Sequence, residues 1–132
     1  MAENEYDALW DAHEREEFKR RHIDPNECLV DDQLEVTREV LKQFMIIFLE
    51  HHLSRRYCSL GLALEGVELF QARAAEVHHW HPSETQGMNV DDLLILLAGE
   101  FEHVAIPPDA REVIRMRTPY LPEWFDIEAR LA

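Results

Sequence analysis

Histidine and glutamate are the residues of this chain whose types and spacing point most directly to chemistry. Eight histidines occur among 132 residues. Imidazoles and carboxylates together form the ligand sets of iron, manganese and zinc sites in proteins. The sequence therefore nominates two candidate metal sites. Their candidate ligands are His51, Glu100 and His103 in the first, and His78, His79 and His81 in the second.

The pattern Glu-x-x-His occurs twice, at Glu76 with His79 and at Glu100 with His103. This spacing resembles that of ferritin-like di-iron bundles, where residues i and i+3 aim at the metals. In antiparallel neighbouring helices the two motifs would lie about 20 Å apart, at 1.5 Å of rise per residue. A mononuclear site of His51, Glu100 and His103 is the alternative, if the ends of the second and fourth helices meet. For His51 and His103, capping of helix C-termini is the competing interpretation, because the helix dipole favours histidine there. For His78, His79 and His81, the competing interpretation is a solvated helix end and loop.

Other catalytic chemistry has less support in the sequence. Cys58 follows Arg56 closely, and a neighbouring cation activates a thiol, but no histidine–acid partner can be assigned to it. The serines have no nucleophile-elbow context, and the four glycines are isolated, so no phosphate-binding loop is predicted. Cys28 and Cys58 are expected to be free thiols. The sequence thus favours a non-enzymatic role.

The elements that must position these side chains are helices. Apolar residues recur at helical spacing along the chain, and strict apolar–polar alternation is missing. We predict an all-α bundle of about four to six helices with little or no sheet, forming one domain over residues 1–132. An acidic N-terminal helix within 1–31 docks on the core, and a proline-punctuated segment covers 105–132. The predicted helices span about 4–21, 32–56, 59–79 and 89–103, with two short ones after Asp109 and around Trp124. Asn89 is the predicted N-cap of the fourth helix.

Charge is the most unusual property of the composition. The chain has 27 acidic and 13 basic residues, a net charge of −14. The acidic excess lies in the flanks, with 11 acids against 4 bases in residues 1–32 and 10 against 4 in 84–132. This balance disfavours direct binding to nucleic acid or to anionic membranes. No stretch approaches the roughly 20 apolar residues of a membrane span, and no secretion signal is visible, so the predicted location is the cytoplasm.

The leading functional hypothesis is a small acidic protein-binding module, such as an inhibitor, accessory subunit or regulator, that docks on a basic protein surface. A metal-dependent enzyme or sensor with a His/Glu site is the first alternative, with iron, manganese or zinc as the metal. A structural helical homodimer is the second. The predicted partner contacts are Glu14, Glu16, Glu17, Asp91, Asp92 and Trp124.

Overall fold

The computed structural model describes residues 5–118. No strand occurs within this range, so the prediction of an all-α fold is confirmed. The last predicted helix and Trp124 lie outside the described residues. None of the described helices combines the length and the apolar character needed to cross a bilayer. The α-helices are α1 (Glu5–Arg20), α2 (Val30–Ser59), α3 (Val67–His78), α4 (Val90–Leu96) and α5 (Pro108–Arg117), with short 3₁₀ helices at Pro82–Glu84 and Ala98–His103.

The connection between α2 and α3 departs from the predicted helix over 59–79. Gly61 and Gly66 both have positive φ angles, of 79° and 58°. A left-handed glycine ends a helix by letting the next amide reach back to a free carbonyl. Here the Leu62 amide donates to the Tyr57 carbonyl at 2.9 Å. The prediction of continuous helix from residue 59 was therefore wrong, and residues 60–66 form a loop.

One compact unit comprises residues 1–46 and 106–132. Its described part contains α1, the first part of α2 and α5. Trp10 is fully buried and stacks on Phe44 of α2, with ring centroids 5.0 Å apart. Arg117 of α5 pairs with Asp11 of α1 at 2.9 Å. Aromatic burial thus joins α1 to α2, and an ion pair links α1 to α5.

The second compact unit comprises residues 47–105. It contains the rest of α2, then α3, α4 and both 3₁₀ helices. The predicted N-cap of α4 is confirmed, because the Asn89 side chain accepts from the Asp92 amide at 2.9 Å. However, α4 ends at Leu96 instead of continuing to His103 as predicted. The fully buried side chains of this unit include Leu49, Leu53, Leu69, Leu93 and Leu97. The single-domain organisation of the chain stays a prediction.

Candidate functional site

An open groove of about 820 Å³ lies in the second unit, between α2 and the start of α3. One face of α2 forms the first wall, because the residues that contribute to it are spaced i, i+3, i+4 and i+7. The loop before α3 and the first turn of α3 form the other wall. The lining residues are Ile47, Glu50, His51, Ser54, Leu64, Glu65, Gly66, Glu68 and Leu69.

Three carboxylates line this groove, those of Glu50, Glu65 and Glu68. Within residues 5–118, none of these three carboxylates takes part in an ion pair. Glu65 and Glu68 are exposed, whereas Glu50 is half-buried. The apolar side chains of Ile47 and Leu64 line the same groove. The groove therefore combines apolar surface with negative charge that no described residue neutralises.

A polar network ties the two helical walls of the groove together. Glu76 of α3 accepts a hydrogen bond from the Tyr57 hydroxyl of α2 at 2.7 Å and also pairs with Arg56. Within α3, Arg73 approaches the same carboxylate at 3.1 Å. The hydrogen bond from Arg56 is the main cause that lowers the pKa of Glu76 to about 2. Burial, followed by the bond to Glu76, raises the pKa of the Tyr57 phenol. The network therefore keeps Glu76 ionised and Tyr57 neutral.

The same network brings together residues that the helix pattern predicted to be far apart. Arg73 bonds to Glu100 at 2.9 Å as well as to Glu76. A single guanidinium thus bridges the two Glu-x-x-His motifs, and the expected separation of about 20 Å between them was wrong. The reason is that the fourth helix ends at Leu96, after which residues 98–103 turn as a 3₁₀ helix.

His52 of α2 lies within electrostatic reach of Glu100. Burial lowers the pKa of His52, while the negative charge of Glu100 raises it and the positive charge of Arg73 adds to the lowering. His103 also contributes to lowering this pKa. His51 is exposed and lines the groove. The site of His51, Glu100 and His103 stays a prediction from the sequence.

The histidines of the segment 78–81 have three different structural roles. The Nε2 atom of His78 lies 3.0 Å from the Leu96 carbonyl. His79 occupies the left-handed position that ends α3, with φ at 57°. The Nδ1 atom of His81 accepts a hydrogen bond from the Ser83 amide at 3.1 Å, as an N-cap. His79 therefore ends α3, and His81 caps the 3₁₀ helix that follows.

No group of three or more histidine, cysteine, aspartate or glutamate side chains within residues 5–118 is arranged to hold a metal ion. The geometry of the described residues therefore gives no support to either nominated site. Binding of iron, manganese or zinc stays a prediction from the sequence.

The predicted partner contacts differ in their accessibility. Glu16, Asp91 and Asp92 are exposed, and Glu14 accepts a hydrogen bond from the Trp10 indole at 3.3 Å. Glu17 is different, because its side chain is buried and accepts from Arg21 at 2.6 Å and from Arg20. The bond from Arg20 is the main cause that lowers its pKa. Glu17 therefore stabilises the fold and is not an open contact residue. Trp124 lies outside the described residues.

No family model matches this chain, and neither a curated protein nor a solved structure matches it. The groove is therefore the feature of the described residues from which a function can be proposed. Sequence reasoning missed Glu50, Glu65 and Glu68, because they belong to the nearly neutral middle of the chain. Gly61 and Gly66 could have indicated this site from the sequence, because they lie in the loop between α2 and α3 and adopt positive φ angles there.

Proposed function

We propose that this protein is a protein-binding module whose groove receives a basic, partly apolar segment of a partner protein. The observation that carries the proposal is the set of three carboxylates in one open groove, without an ion-pair partner in residues 5–118. Lysine or arginine side chains of the partner supply the missing counter-charges. An inhibitor, an accessory subunit or a regulator would act through such a contact.

The apolar residues of the groove supply the part of the binding free energy that charge alone does not. Ile47 and Leu64 are partly exposed within it, and apolar surface removed from water contributes about 25 cal/mol per Å². Leu60 and Leu62 belong to the same loop and are exposed. A segment that alternates cationic and apolar side chains therefore matches this surface better than a purely cationic one.

The acidic residues outside the groove are proposed to act by long-range electrostatic attraction, without direct contacts to the bound segment. The net charge of −14 attracts a cationic partner from a distance and raises its association rate. Glu14, Glu16, Asp91 and Asp92 contribute to this long-range field. The groove glutamates make direct pairs, each worth about 0.2–1 kcal/mol at a solvent-accessible site. Three such pairs correspond to roughly a tenfold change in affinity.

The experiment uses a fluorescent amphipathic peptide of lysine and leucine as the probe, and a glutamate–leucine peptide of the same pattern as its control. The variant E50Q/E65Q/E68Q neutralises the groove. The variant E16Q/D91N/D92N changes the net charge by the same amount, at three exposed residues that were predicted from the sequence to contact the partner. Fluorescence anisotropy at low and high salt gives the affinities, and circular dichroism verifies that both variants are folded.

We expect the wild-type protein to bind the lysine peptide and not the glutamate peptide. The groove variant should bind about tenfold more weakly, whereas the charge-matched variant should change by less than about threefold. High salt should weaken the wild-type complex, because it screens the exposed pairs. Equal weakening by the two variants would contradict the groove as the contact site, and so would unchanged binding by the groove variant.

A further inference from the structure

A second and smaller pocket, of about 330 Å³, lies in the same unit. Four of its lining side chains carry N–H donors, and they are supplied by one stretch of α2. The remaining lining residues are apolar. The six residues are His51, His52, Arg55, Arg56, Phe48 and Ala105. A pocket of this composition is unexpected in a chain with a net charge of −14.

Arg55 and Arg56 are the arginines among the six residues that line this pocket, and no carboxylate lines it. Arg55 is exposed and takes part in no ion pair within residues 5–118. Arg56 is engaged by Glu76. Arg55 therefore supplies a positive charge that no ion pair within residues 5–118 compensates.

We propose that this pocket binds a phosphate group. An arginine presents a planar fork of N–H donors that matches phosphate oxygens, and a histidine in either protonation state offers at least one further donor. Arg55 supplies the fork, while His51 and His52 precede it by one helical turn on the same helix. Phe48 and Ala105 provide apolar surface beside these donors. This composition fits a small phosphate monoester better than inorganic phosphate alone.

The phosphate site is independent of the proposal for the acidic groove, although His51 lines both depressions. Arg55 and His52 line the smaller pocket and do not line the groove. Loss of peptide binding in the groove variant therefore says nothing about phosphate, and loss of phosphate binding says nothing about the peptide.

The test titrates the full chain with inorganic phosphate and, separately, with phenyl phosphate, followed by calorimetry and by NMR of the histidine ring signals. The variants Arg55→Gln and His52→Gln remove donors from the pocket. Arg15→Gln is the matched control, because Arg15 is also exposed on a helix and has no ion pair within residues 5–118. Arg56 is left unchanged because it holds Glu76.

We expect saturable binding with a perturbed His52 signal, weakened about tenfold by Arg55→Gln through loss of a charge-assisted hydrogen bond. His52→Gln should also weaken binding, and Arg15→Gln should leave it unchanged. Tighter binding of phenyl phosphate would assign the site to a phosphate monoester, whereas equal affinities would assign it to free phosphate. Absence of saturable binding in the wild type overturns the proposal, as does equal weakening by Arg55→Gln and Arg15→Gln.

Discussion

The Glu76 network between α2 and α3 allows a quantitative prediction about the groove walls. Replacing Glu76 by glutamine removes the charge that pairs with Arg56 and Arg73 and weakens the bond from Tyr57. The lowering of the pKa of Glu76 from 4.5 to about 2 corresponds to about 3 kcal/mol before solvent screening. The Glu76 side chain is 38% exposed, so we discount this figure to about 1–2 kcal/mol.

The sign of the pH dependence follows from the direction of the shift. A carboxylate whose pKa is lowered by folding stabilises the folded state above its unfolded pKa, and this stabilisation is lost as the pH falls toward the folded value. The contribution of Glu76 should therefore be complete at neutral pH. It should decline below its ordinary pKa of 4.5 and vanish near pH 2.

This contribution is measured by urea denaturation of the wild type and of Glu76→Gln. Each protein is unfolded at neutral pH and again at a pH between 2 and 4.5. Glu102→Gln is the control, because Glu102 is exposed and has no ion pair within residues 5–118; it should change stability by less than about 0.5 kcal/mol. A Glu76→Gln variant as stable as the control variant at neutral pH would refute the reasoning. A deficit that does not shrink at the lower pH would refute it too.

Two further predictions concern residues that the structure assigns to the fold. Trp10→Ala should lower the free energy of unfolding by about 3–5 kcal/mol, because it empties a buried site against Phe44; urea denaturation measures this, and a loss below 1 kcal/mol would contradict the packing. His79→Gly should raise stability by about 0.5–1 kcal/mol, because glycine adopts the left-handed conformation without strain. Thermal unfolding measures the second effect, and a decrease would show that the His79 side chain makes a contribution other than ending α3.

The helical character of the chain was predictable because apolar spacing reports it directly. The acidic first helix was predicted over 4–21, and α1 spans Glu5–Arg20. Asn89 was identified as an N-cap because a short polar side chain before two aspartates carries that signal within a few residues. Local signals of this kind need no knowledge of tertiary contacts.

The candidate site was not predictable to the same degree, because it depends on backbone conformations that sequence patterns leave open. Gly61 and Gly66 were included in a helix, where glycine is tolerated at a cost of about 1 kcal/mol. Their positive φ angles instead create the loop that separates α2 from α3. Without that loop, Glu65 and Glu68 would share one face of a continuous helix, and the groove would not exist.

The acidic partner contacts were predicted from charge alone, and charge does not tell whether a side chain is exposed. An acidic residue on a helix has the same sequence signature whether it faces water or an internal arginine. Glu17 was grouped with Glu14 and Glu16, but Arg20 and Arg21 neutralise it within the fold. Conversely, Glu50 was not among the predicted partner contacts, although it contributes an uncompensated charge to the groove.

The most direct test of the central claim is a charge swap at the groove, measured by peptide binding. In the variant E50K/E65K/E68K, the three groove carboxylates become ammonium groups while the apolar lining stays unchanged. If the groove binds a basic segment, this variant should lose its affinity for the lysine–leucine peptide and gain affinity for the glutamate–leucine peptide. A folded variant that still prefers the lysine–leucine peptide with wild-type affinity would contradict the account.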